Sequence, residues 1–85
     1  MKKWYFTFGI SARMASTGAP LASTYVEVEA ENYMEAREIM ISWFGVKWAF
    51  QYDENLWHKE VKKFYPTKLK TLYEKNTGAA IEILI

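Results

Sequence analysis

Residues 23–45 read STYVEVEAENYMEAREIMISWFG, and the period of the pattern changes partway through. From Ser23 to Ala30 apolar and polar residues alternate. Val26, Val28 and Ala30 fall on one side and Glu27 and Glu29 on the other, as in a strand with one buried face. From Asn32 onward the period is helical. Asn32 is placed to cap the first turn, and Glu35 three residues later completes a variant of the capping box. Ala36, Ile39, Met40, Trp43 and Phe44 recur along one helical face. Gly45 stands where a helix C-terminal glycine belongs. A strand that runs directly into an amphipathic helix predicts a helix packed on a sheet.

Working outward, residues 2–10 alternate Trp4, Phe6 and Phe8 against Tyr5, Thr7 and Gly9, which predicts another strand with a core face. Residues 11–22, SARMASTGAPLA, are small and polar around Gly18 and Pro20. They read as a loop across which the two strands pair antiparallel. The loop is long for a hairpin, and long loops in small domains are either functional or disordered. Downstream, VKWAFQY (46–52) alternates again and is expected as a third, central strand. Asp53 is positioned to cap a second helix over residues 54–65, with Trp57, Val61 and Phe64 facing inward and Leu56 alongside. Tyr65 and Pro66 end it. TKLKTLYEK (67–75) fits a short helix or a strand equally. NTG (76–78) would turn into a last strand, AAIEILI, with Ile81, Ile83 and Ile85 on one face. The order is β-β-α-β-α followed by a hairpin or a helix–strand unit. The expected class is α+β: one domain over residues 1–85, a mostly antiparallel sheet, and helices on one of its faces.

The 85 residues suit a single small core. Apolar residues make up 51% and charged residues 25%, a globular composition rather than a disordered one. Aromatics reach 18%, enough to fill the core and leave rings over for a binding surface or a homodimer contact. The formal net charge of +1 argues against direct nucleic-acid binding. Charge is still unevenly placed. Residues 27–54 carry seven acids against Arg37 and Lys47, and residues 55–75 carry six lysines against Glu60 and Glu74, a local positive segment. With no cysteine, a disulfide framework and a thiolate nucleophile are excluded. The apolar run after Lys2 and Lys3 is too short and too alternating for a signal peptide, and no run approaches the roughly 18 apolar residues of a membrane span. A cytosolic protein with no membrane partner is expected.

Catalytic constellations are hard to assemble. His58 is the only histidine. The pairs Glu27/Glu29 and Glu31/Glu35 lack a third ligand for a metal. The glycines are scattered rather than gathered in a phosphate loop, and the serines and threonines have no partner base. Neither an enzyme nor a cofactor is expected. Non-covalent binding fits better. Tyr5 and Tyr52 are expected to present a ring and an exposed hydroxyl. A nucleotide base stacked on such rings gains roughly 1–3 kcal/mol. Arg13, Lys47 and Lys62 would reach a phosphate, Gln51 a base edge or a ribose, and His58 a phosphate. The candidate ligand-binding set is therefore Tyr5, Arg13, Lys47, Gln51, Tyr52, His58 and Lys62.

Four segments together, YFTFG (5–9), YVEVEA (25–30), AENYMEAREIM (30–40) and FGVKWAFQY (44–52), resemble a widespread family of short proteins encoded by bacteriophages and prophages. The resemblance covers residues 4–55, and its most specific stretch is 44–52. It implies an accessory phage product in the cytoplasm of the infected or lysogenic bacterium. By the company such genes keep, it also implies a role against host defences. Two forms of that role are expected: sequestering a small nucleotide-type immune signal, or binding a host defence protein such as a CRISPR nuclease.

Overall fold

The computed structural model describes residues 1–73 and 81–84. Its strands are β1 (Lys2–Thr7), β2 (Arg13–Met14), β3 (Thr24–Ala30), β4 (Phe50–Asp53), β5 (Thr67–Tyr73) and β6 (Ile83–Leu84). Helix α1 spans Tyr33–Phe44 and α2 spans Glu54–Leu56. The class is α+β, with a four-stranded sheet in the order β4-β1-β3-β5. β1 is antiparallel to both β3 and β4, while β3 and β5 run parallel. β2 and β6 form a separate antiparallel pair.

The stretch at 23–45 folds as its pattern dictates. Val26, Val28 and Ala30 are buried under α1. The Asn32 side chain accepts the Glu35 backbone N–H at 2.9 Å, closing the first turn. Gly45 ends the helix at φ 65° and ψ −143°, a backbone conformation that side chains with a Cβ rarely adopt. From the inner face of α1, Ala36, Ile39, Met40 and Phe44 meet Phe6 and Phe8 of the first strand region and Leu72 of β5. Edge-to-face contacts of Phe6 with Trp48 (4.9 Å) and of Phe8 with Phe44 (5.6 Å) close this layer.

Three expectations need correction. The third strand is not central. It is shorter than 46–52, and β4 lies at the edge beside β1. Periodicity reports which face a residue takes and carries no information on strand order. The second helix is not continuous over 54–65. It begins as α2, widens into a π-helical turn at Trp57–Val61 and tightens into a 3₁₀ turn at Lys62–Phe64. With the pitch changing twice, the 3.6-residue spacing buries Trp57 alone; Val61 is half-buried and Phe64 exposed. The helices also do not share a face. Trp57 packs on Tyr5, Tyr25 and Tyr52, which alternate with the α1-facing residues of their strands, so α1 and the second helical segment cover opposite sides of the sheet.

The open choice at 67–75 resolves to a strand over Thr67–Tyr73. The loop 11–22 is ordered by β2, by Met14 N–H to the Ala19 carbonyl and by Leu21 N–H to the Ala12 carbonyl. The turn expected at 76–78 and the placement of Ile85 lie outside the described residues.

Two substitutions test this layering. Trp57→Ala removes the centre of the second layer and is expected to cost about 3–5 kcal/mol in urea unfolding. Gly45→Ala meets no neighbouring atom within 4 Å but is held at positive φ, so it should cost about 1–3 kcal/mol through backbone strain alone.

Candidate functional site

Trp57 has no exposed surface. Its ring stacks almost parallel on Tyr5, with centroids 4.8 Å apart and planes at 5°. Tyr25 lies 4.7 Å from it, Tyr65 5.8 Å and Tyr52 6.0 Å. One indole thus sits among four phenol rings. Pairs of this kind contribute about 0.5–1.5 kcal/mol each beyond area burial. One polar atom buried in this layer, Trp57 Nε1, has no hydrogen-bond partner among the described residues.

The layer ends at a cleft. The register of β1 with β4 sets Trp4 opposite Asp53. The Asp53 carboxylate accepts the Leu56 N–H at 2.8 Å and starts α2 at that point. The N-terminal half of β1 and the start of α2 therefore face one another across a cavity of about 620 Å³. Its walls are Lys2, Lys3, Trp4, Asp53, Glu54, Asn55 and His58. Trp4 is fixed there by its indole N–H, which donates to the Ala30 carbonyl at 3.2 Å, and by an edge contact with Tyr33. His58 is held by the Tyr5 hydroxyl, 3.4 Å from its Nε2, and lies 3.9 Å from the Glu54 carboxylate.

The expected binding residues do not converge. Tyr5 is only 2% exposed, so its ring is a structural layer rather than a stacking platform, and its hydroxyl lies between Glu27 and His58, 3.4 Å from the imidazole Nε2. Tyr52 is half-buried against Trp57. Its expected exposed hydroxyl face is thus largely covered as well. The reason is the second helical segment, which covers the sheet face that alternation assigned to solvent. Gln51 points to the other face, where its Nε2 donates to the Tyr33 carbonyl at 3.0 Å. Arg13 bends back onto the Gly18 carbonyl at 3.1 Å. Lys47 lines a different groove with Phe44, Val46 and Ile81, and Lys62 sits exposed in the 3₁₀ turn. Of the seven, His58 alone lines the cleft.

Lys2, Lys3, Trp4, Asp53, Glu54 and Asn55 were missed as a site. The Asp53 cap was legible, but only the strand register brings it beside the start of β1. Among the described residues no group of three or more His, Asp or Glu could hold a metal ion, and no helix is long and apolar enough to cross a membrane.

Burial raises the Tyr5 phenol well above the ordinary tyrosine value of 10.0, and the nearby charges of Glu27 and Glu54 push it the same way. Burial raises Tyr52 too, with Tyr65 adding to the shift. The fold therefore favours the neutral phenols, whereas the unfolded chain ionises them near pH 10. Their contribution is complete below about pH 10 and is lost as pH rises beyond it.

Searches against family models, curated proteins and solved structures found no match for the chain.

The titration has a direct check. Phenolate absorbance should show Tyr5 and Tyr52 ionising above the ordinary tyrosine value of 10.0. The urea midpoint should hold steady to about pH 9 and fall above pH 10. Tyr5→Phe keeps the ring stack and removes the titrating group, so its fall above pH 10 should be shallower than that of the wild type.

Proposed function

We propose that the chain is a non-catalytic binding domain that captures a small, phosphorylated, ring-bearing ligand of nucleotide type in the cleft between β1 and α2. The observation that carries this reading is the make-up of the cleft. Lys2 and Lys3 offer cations for phosphate. Half-buried Trp4 offers an apolar ring beside them, fixed by its own hydrogen bond. Glu54 and Asn55 on the opposite wall offer acceptors and a donor for sugar hydroxyls or an exocyclic amine. A volume near 620 Å³ falls in the roughly 300–1,000 Å³ range of small-molecule sites. The two lysines faced by Asp53 and Glu54 suit a ligand that carries both anionic and hydrogen-bond-donating parts better than a bare polyanion.

His58 contacts the Tyr5 hydroxyl and lies near Glu54, and the cleft lining contains no serine, threonine or cysteine for it to activate. Capture without turnover is the chemistry these side chains support. In the phage setting that the sequence resemblance implies, such capture would withdraw an immune signal from a host defence system.

The test is a thermal-shift panel of cyclic di- and trinucleotides, ADP-ribose derivatives, NAD and short oligonucleotides. A ligand at a hundred times its Kd stabilises by about 2.7 kcal/mol, and each kcal/mol raises Tm by roughly 4–8 °C in a domain of this size. The expected result is a clear shift with one nucleotide class, with the ligand recovered intact. Lys2→Ala combined with Lys3→Ala should abolish the shift, and Lys62→Ala should leave it in place. A flat panel contradicts ligand capture and directs the search to a host protein partner.

A further inference from the structure

We propose that β4 pairs antiparallel with β4 of a second copy of this chain, around a two-fold axis through Gln51, to give a homodimer with a continuous eight-stranded sheet. β4 ends the four-stranded sheet, and its outer side carries no strand among the described residues. An open edge presents a row of backbone N–H and C=O groups, bonded only to water, that is a ready template for another strand. The opposite edge, β5, carries Lys68 and Lys70, residues that discourage such pairing. β4 reads Phe-Gln-Tyr-Asp, with neither lysine nor proline.

The side chains identify the occupant as a copy. Residues directly opposite in an antiparallel pair project from the same face. Centring the axis on Gln51 sets Phe50 opposite the partner's Tyr52, and the symmetry repeats the contact. Phe50 is 61% exposed and its ring touches Tyr52 of its own chain at 6.2 Å, so each Phe50 would close on an aromatic pair that is already formed. On the axis, Gln51 meets itself. Its Nε2 donates to the Tyr33 carbonyl of its own chain, which leaves the backbone of the strand, rather than this side chain, to make the contact at the axis. The two-fold axis of a self-pair brings a ring to both exposed Phe50 side chains in a single register. This interface lies on the β4 edge and does not depend on the proposed ligand.

Sedimentation equilibrium of the full chain should give twice the 10.0 kDa chain mass, and Phe50→Lys should return it to 10.0 kDa with an unchanged circular dichroism spectrum. The chain has no cysteine, so single cysteines report the register. Opposed antiparallel residues stand about 4.5–5.5 Å apart at Cα, within the roughly 4.4–6.8 Å that a disulfide spans. Gln51→Cys should therefore oxidise to a covalent dimer, and Ser16→Cys, in the exposed loop, should not. A wild-type chain that stays at 10.0 kDa at every concentration overturns the proposal. So does a dimer that survives Phe50→Lys, or Gln51→Cys that cross-links no faster than Ser16→Cys. A flat nucleotide panel leaves these readouts untouched, so failure of one reading is distinguishable from failure of the other.

Discussion

The stack of Trp57 on Tyr5 is the contact on which the second half of the molecule depends. A four-stranded sheet with a single helix on it would leave one whole face wet. In this chain that face carries Tyr5, Thr7, Tyr25 and Tyr52, residues with enough polarity to read as a solvent side and enough ring area to form a core. Trp57 decides between the two. With no surface left exposed, it closes a layer of five rings and fixes the segment 54–64 across β1. The sheet is thus covered on both sides in a chain of only 85 residues.

The cleft follows from that placement. Asp53 ends β4 and caps α2 in one step, and the stacked Trp57 holds the rest of the segment down. The start of α2 then stands over the start of β1, and His58, the residue after Trp57, reaches the rim with its ring held by the Tyr5 hydroxyl. The buried phenol is part of the same arrangement: the environment that raises the Tyr5 pKa keeps it neutral, and a neutral hydroxyl can either donate to or accept from the imidazole.

Much of the fold was legible in the sequence. The cap at Asn32, the helical period from Ala36 to Phe44 and Gly45 at the end define α1 without reference to anything distant, and the alternations at 2–10 and 23–30 define β1 and β3. What was not legible is non-local. The edge position of β4 depends on strand order. The burial of Tyr5 depends on a segment fifty residues away, and that segment abandons the 3.6-residue period at the residue that matters most. The site residues share this limit. Arg13, Lys47 and Lys62 were chosen for side-chain chemistry, and the chain carries them to separate places. Lys2, Lys3 and Glu54 are unremarkable in sequence and come together only through the β1–β4 register. One signal was available: aromatic residues occupy both parities of the first strand, Trp4, Phe6 and Phe8 on one and Tyr5 on the other, as expected where both faces are covered.

The most direct test of the two-sided layer is a nuclear Overhauser map of the Trp57 indole in the intact chain. The structure predicts cross-peaks from its ring protons to Tyr5 and Tyr25, with none to Ile39 or Met40 of α1. Cross-peaks to the α1 residues, or none to either tyrosine, would place the second helical segment elsewhere and remove the physical basis of the cleft.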